Sequence, residues 1–231
     1  MNIFRRIGIL GGMSHESTIK YYELILQKYY KKFQNFSYPE IVIFSLNFER
    51  LIDLELGDKK DDYIKYLMTG IKSLKKAGAC FILMAANSPH SVFNNLKILS
   101  EVPILSIVEC TAGVARKEKM KTLLLLGVKF TMQSTFYQTA FENLKIKVLT
   151  PSLEEQNEID RIIFKELVLG TIKQKSKHRL LKIINNYETD GVILGCTELP
   201  LILNQKDTDI RLLDTVEIHT DAALEYYLSL D

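Results

Sequence analysis

The sequence predicts an α/β fold of two Rossmann-like lobes with mainly parallel sheets, related by a pseudo-two-fold internal duplication, with an active-site cleft between them. Three observations lead there. Short apolar runs alternate with amphipathic stretches along the whole chain, the order of βα units rather than of hairpins or bundles. Several runs are apolar at successive positions, as in Phe81-Ile-Leu-Met84 and Leu123-Leu-Leu-Leu126, the pattern of strands covered on both faces. Finally, three segments of the first half echo, in the same order, in the second.

The first strand is Arg6–Leu10, closed by Gly11-Gly12 before a helix whose first turn includes Glu16, Ser17 and Thr18. Glu40–Phe44 is the second. Ile64, Leu67, Ile71 and Leu74 lie at helical spacing and lead into the third strand, Ala79–Ala85. Ser88 then reads as an N-cap and Pro89 as the first residue of a helix carrying His90, Val92 and Leu96. Pro103–Ile107, Lys121–Leu126 and Lys147–Leu149 follow as strands. Ser152 with Glu155 forms a capping box for a helix running through Ile159, Ile162, Ile163 and Leu167 to a stop at Gly170. Gly191–Leu194 and Ile210–Leu213 complete the set.

The echoes pair Arg6–Gly12 with Lys121–Gly127, Gly78–Ser88 with Gly191–Glu198, and Val102–Glu109 with Ile210–Glu217. They divide the chain into an N-terminal lobe of residues 1–106 plus 210–231 and a second lobe of 107–209. Such lobes set Ala86-Asn87-Ser88 opposite Cys196-Thr197-Glu198 across a cleft, because ligands in α/β folds meet strand carboxyl ends and helix N-termini.

Composition narrows the function. At 231 residues with 47% apolar and 25% charged residues, the chain has the balance of a globular protein with an ample core. Thirty basic against 28 acidic residues leave a net charge of +2, which argues against a nucleic-acid or membrane-surface partner. Three scattered cysteines form neither a disulfide framework nor a metal knuckle, so reduced thiols and a cytoplasmic location are expected, with no metal. Met1–Arg6 and the run after it have no export pattern, and no stretch reaches the roughly 18 apolar residues of a membrane span.

The chemistry collects at strand ends. Gly12-Met13-Ser14 can bring backbone N–H groups to an anion at a helix start, although many α/β turns need glycine simply to turn. It is neither a dinucleotide fingerprint nor a P-loop, since neither spacing is present. Asn87 and Ser88 offer an amide and a hydroxyl suited to a carboxylate, alongside their capping role. Cys196 ends an apolar strand before Thr197-Glu198, a pair that can open a helix whose dipole would favour thiolate; the plain alternative is a small buried apolar side chain. That alternative suits Cys80 and Cys110 better. His15 and His219 follow strands and read as cleft-edge polar residues, and His178 as a solvated one.

Four motifs together resemble the aspartate/glutamate racemase family, closest to its aspartate-type branch. They are Ile7-Gly-Ile-Leu-Gly-Gly-Met13, the strand end running to Asn87-Ser88-Pro-His90, Gly127-x-x-x-Thr131, and Gly195-Cys-Thr-Glu-Leu199. The resemblance implies a homodimer that racemises a small amino-acid or dicarboxylate substrate with neither pyridoxal phosphate nor metal, using two cysteine thiols on opposite faces of Cα. Carried over, Cys196 is one of the two. Asn87, Ser88 and Thr197 hold the α-carboxylate, helped by Thr131 and the Gly12, Met13, Ser14 turn, with Glu198 beside them. The family's other cysteine falls on Ala86, which carries no proton. Val128 stands where the family often has Thr, and Arg50 and Lys165 are nearby cations with no motif to assign them. A racemase whose other face uses Ser88, His90 or a held water comes first. A single-cysteine, cofactor-free decarboxylase or lyase is the alternative, and a non-catalytic carboxylate binder the third.

Overall fold

The computed structural model describes residues 5–230; Met1–Phe4 and Asp231, including the start of the segment read for export, lie outside the described residues. The chain divides into two compact units. One comprises the residues up to Ile107 together with those from His219 onward, and the other Val108–Ile218.

The first unit holds β1 (Arg6–Gly11), α1 (His15–Phe33), β2 (Glu40–Ser45), α2 (Phe48–Leu56), α3 (Lys60–Lys76), β3 (Ala79–Met84), α4 (Phe93–Leu99) and β4 (Ile104–Leu105). Its sheet has the order β2-β1-β3-β4, and every pair is parallel. Ile7, Ile9, Leu10 and Phe81–Met84 are wholly buried, as strands with helices on both faces must be.

The second unit repeats the plan. It holds α5 (Ile107–Lys117, shared at its first residue with the other unit), β5 (Thr122–Leu126), α6 (Lys129–Gln133), α7 (Phe136–Glu142), β6 (Lys147–Leu149), α8 (Leu153–Lys165), α9 (Gln174–Asn185), β7 (Gly191–Leu194) and β8 (Arg211–Asp214). Its sheet order is β6-β5-β7-β8, again all parallel. The last helix, α10 (Thr215–Ser229), begins in this unit and continues in the first. The three sequence echoes fall on β1/β5, β3/β7 and β4/β8, which hold matching places in the two sheets.

In both sheets the first strand lies between the second and the third, so winding reverses beside it. That reversal is the switch point at which α/β sheets leave a crevice beyond the strand carboxyl ends. In the first unit it puts Gly11–Ser14 next to Ala85–Ser88, and in the second Gly127 next to Gly195–Glu198.

Four sequence readings are adjusted. The second lobe was expected to end at 209, but β8 pairs with β7 and carries the boundary to Ile218. The fourth strand stops at Leu105 instead of Ile107, because the Ile107 N–H leaves the sheet to donate to His90 Nε2 at 3.3 Å. Ser88 is not the cap of its helix: Ser88–Val92 is a 3-10 segment whose N-cap position is Asn87, with no side-chain cap bond, and α4 starts only at Phe93. The capping box of Ser152 and Glu155 is present, but α8 ends at Lys165 and a 3-10 turn, Leu167–Leu169, leads to Gly170 at φ +68°.

Candidate active site

At the first switch point the glycines answer to packing. Gly12 has φ +77°, and a Cβ there would lie 2.3 Å from the Leu46 carbonyl oxygen; one on Gly11 would lie 2.4 Å from the Thr18 methyl. The Gly12 N–H donates to Thr18 Oγ1 at 2.9 Å, and that hydroxyl donates to the Ser14 carbonyl at 2.8 Å. The donor expected to meet an anion is therefore engaged within the turn. Ser14 caps α1, its side chain accepting from the Ser17 N–H, and both Met13 and Ser14 are buried. Ser17 Oγ in turn donates to the Ala85 carbonyl, tying the start of α1 to the end of β3.

Ala86, Asn87 and Ser88 follow β3, with Ala86 and Asn87 buried and Ser88 half-buried. The Asn87 carbonyl accepts from the His90 N–H at 3.0 Å and lies 3.1 Å from His90 Nδ1. With Ile107 donating to Nε2, the ring is the neutral tautomer carrying its proton on Nδ1, and burial lowers its pKa to about 4. Both nitrogens are committed to the backbone, so His90 is a strap between the 3-10 turn and α5 rather than a proton carrier. His219, expected at a cleft edge, is wholly buried: it accepts from the Tyr21 hydroxyl on Nδ1 at 2.8 Å and donates Nε2–H to the Leu105 carbonyl at 3.2 Å. His15 is exposed beside Glu16, and His178 is exposed on α9. Arg50 is an exposed cation over the Tyr66 ring, 4.7 Å from its centroid, and Lys165 is exposed at the end of α8.

Sequence reasoning missed a carboxyl here. Glu55, near the end of α2, accepts from the Tyr63 hydroxyl of α3 at 2.5 Å. Burial raises the pKa of Glu55 from its ordinary value, against the hydrogen bond from Tyr63. Nothing in the spacing of Glu55 and Tyr63 announces the meeting, because two separate helices deliver them.

The second switch point holds the thiol. The Gly195 N–H donates to the Leu126 carbonyl at 2.7 Å, as the Ala85 N–H does to that of Leu10 at 2.9 Å. With Leu126 opposite Leu194 and Leu10 opposite Met84, Cys196 and Ala86 occupy the same register position in their units. Cys196 is buried and its Sγ–H donates to Glu198 Oε2 at 3.0 Å; Thr197 Oγ1 donates to the same oxygen at 2.8 Å. The expected helix after Thr197 is only a 3-10 turn, Leu199–Leu201. No helix N-terminus favours thiolate, and burial together with the Glu198 charge pushes the thiol pKa well up, so the resting sulfur keeps its proton.

Thr131 sits on α6, its methyl next to Gly127 and Gly195. Its hydroxyl is buried with no hydrogen-bond partner, a costly state for a polar atom unless something else binds there. Val128, at the N-cap of α6, has no side chain to cap with. Asp160 of α8 substitutes, accepting the Lys129 N–H at 2.6 Å, and its charge adds to the upward push on Cys196. The absent cap at Val128 was the signal that an acceptor had to come from elsewhere. Cys80 accepts from the Arg6 N–H at the far end of β3, and Cys110 lies on α5. Among the described residues no group of three His, Cys, Asp or Glu side chains could hold a metal ion, and no helix is long and apolar enough to cross a membrane.

A family model described as Asp/Glu/Hydantoin racemase matches residues 10–223. The broad specificity amino-acid racemase RacX of Bacillus subtilis (strain 168) is 26% identical, over 96% of this chain and 98% of its own. Among solved structures, an aspartate racemase homologue from Pyrococcus horikoshii OT3 is 37% identical at a TM-score of 0.85, covering 97% of this chain and 99% of that one. The aspartate racemase of Picrophilus torridus, 23% identical at a TM-score of 0.79 over 96% of this chain and 94% of its own, shares the fold.

Proposed function

Because this chain belongs to the Asp/Glu/hydantoin racemase family, we propose that it is a cofactor-independent amino-acid racemase of the aspartate/glutamate type, with Cys196 exchanging the Cα proton. The observation that carries the reading is the buried Cys196 thiol at the end of β7, its proton directed at Glu198 at 3.0 Å. A resting thiol is the acid form. It becomes a base when its proton passes to the Glu198 carboxylate as the sulfur takes the Cα proton, so the pair works in both directions. Hydrogen-bond donors must carry the charge that develops on the substrate carboxylate as the carbanion forms. Asn87, Ser88, Thr131 and Thr197 are the proposed donors, and the unpartnered Thr131 hydroxyl supports the assignment best. Thr197 would first release its bond to Glu198.

The test is incubation in D2O with each enantiomer of aspartate, glutamate and a wider amino-acid panel, following Cα exchange by NMR and inversion by chiral chromatography. Exchange with inversion is expected for at least one amino acid, and no exchange across the panel would sink the reading. Cys196→Ser should slow inversion by about 10²–10⁴-fold, the usual contribution of a positioned acid–base group; full activity would remove Cys196 from the mechanism.

A further inference from the structure

The first unit leaves one apolar surface open. In α1, Ile19, Tyr22, Leu26, Tyr30 and Phe33 recur at helical spacing and share about 80° of arc, with none of the helix's lysines or glutamates among them. This is not the side the fold uses. The helix packs through Tyr21, Leu24, Ile25 and Tyr29, while the stripe is exposed apart from half-buried Leu26. Just past the helix, Phe36 is 79% exposed, stacks on Tyr30 and meets Tyr38 edge-on. The sheet is open beside it. Ile7, Ile9, Ile41 and Ile43 alternate onto the sheet face opposite the one that Leu10, Val42 and Phe44 present to the α3 core. On that face Ile7 and Ile9 of β1 are wholly buried, yet Ile43 of the edge strand β2 is 41% exposed. There α10 covers β3 through Tyr226 on Phe81, and α1 joins α10 through Tyr21 on His219 and Lys28 on Thr220. The other flank of α1 puts Tyr29 against Tyr38, which leads into β2. The stripe and the open face of β2 therefore lie side by side.

We propose that this surface, the α1 stripe with Phe36 and the open face of β2, is where a second copy of the chain docks, the same patch serving on both protomers. Area argues for it. At about 200 Å² for a whole aromatic side chain, the exposed parts of Tyr22, Tyr30, Phe33, Phe36 and Tyr38 come to about 500 Å². With Ile19 and Ile43 the patch reaches the top of the roughly 300–600 Å² range of the largest apolar patch on an ordinary monomer. Laid on its own copy it removes about 1,000 Å² of apolar surface from water. Homodimer interfaces are about 65% apolar, so the whole contact comes to about 1,500 Å², inside the roughly 1,200–2,000 Å² of a stable interface. Composition agrees, since tyrosine and phenylalanine without charge is the make-up of an interface core. A two-fold contact asks only that one surface complement itself, and the partner always present at equal concentration is the chain itself.

The test is the mass of the full chain in solution, read by light scattering and analytical ultracentrifugation across micromolar concentrations. The wild type should have twice the mass of one chain. Tyr22→Glu and Ile43→Glu each put a charge into the patch. Each should raise the dimer dissociation constant at least about 30-fold, the loss that marks a residue central to an interface, with circular dichroism unchanged. Ile19→Glu, on the exposed helix surface, repeats the test should Ile43→Glu fail to fold. Lys175→Glu, exposed on α9 in the other unit, should leave the mass at that of the wild type. A wild type with the mass of one chain would overturn the proposal. Sedimentation of that single chain with phosphatidylserine vesicles would overturn it in favour of a lipid surface. A wild-type dimer unmoved by Tyr22→Glu and by either isoleucine variant would also overturn it, since the contact would then lie on another face. None of these outcomes bears on Cα exchange, so the racemase reading stands or falls separately.

Discussion

Mild acid should destabilise this protein, and two histidines set how much. His90 and His219 are both buried and neutral, each with one ring nitrogen donating to a backbone carbonyl and the other accepting a hydrogen bond. Burial lowers His90 from 6.5 to about 4 and His219 to about 3. In the unfolded chain both return to about 6.5. Below that pH the unfolded state binds protons that the native state refuses, so stability falls as pH drops through 6.5 and the loss levels off only below the native values. At pH 5 the unfolded chain gains about 1.5 units of protonation advantage per histidine, worth about 2 kcal/mol each and about 4 kcal/mol together. Against a typical total of about 5–15 kcal/mol that is a large share. Glu55 runs the other way: its raised carboxyl binds protons more readily when folded, so it adds stability as pH falls and offsets part of the loss. Urea unfolding at pH 7.5 and pH 5 measures the difference. His90→Gln and His219→Gln should each be less stable than wild type at the upper pH, yet each should lose about 2 kcal/mol less across the interval. An identical loss in wild type and both variants would refute the argument, because the acid sensitivity would then lie in other groups.

Four further outcomes are expected. Glu198→Gln removes the charge that helps hold the Cys196 proton, so its thiolate should form at lower pH, read from the ultraviolet thiolate absorbance. Asp160→Ala should cost about 1 kcal/mol in urea denaturation, the usual value of a lost helix cap, while Asp160→Asn keeps an acceptor and most of that stability. Gly12→Ala should destabilise by more than the roughly 1–2 kcal/mol of left-handed backbone strain, since its Cβ also meets the Leu46 backbone. Gly113→Ala, in the interior of α5 with nothing within 4 Å of the added carbon, should instead stabilise by up to about 1 kcal/mol.

What could be read in the sequence was what repeats or is local. The eight strands among the described residues come from continuous apolar runs, the matching topology of the two sheets from three echoes, and the Ser152 box from a four-residue window. The position of Cys196 at a strand end was legible for the same reason. Its protonation was not: the inference ran through a helix dipole, and the chain forms only a three-residue turn there while Glu198 folds back onto the sulfur. The cleft-edge reading of His219 failed because its partners, Tyr21 and Leu105, lie far away in sequence. Glu55 and Asp160 stayed hidden on the same ground. Each reaches its neighbour from another element, and no periodicity marks such a meeting.

The two strand ends show how a duplicated fold can keep its backbone while its side chains diverge. Both sheets bring a residue to the same register position beyond the third strand, cysteine in one unit and alanine in the other. In the second unit the carboxylate partner is local, two residues on at Glu198, and it accepts from the thiol at 3.0 Å. In the first, that matching position is Ser88, a hydroxyl. A thiol and a carboxylate two residues apart can pass a proton between them, whereas alanine with a hydroxyl two residues on cannot do so in the same way. Register alone therefore does not carry the chemistry: equivalent strand ends bring equivalent backbone, and the side chains at two positions decide which of them can hold a transferable proton.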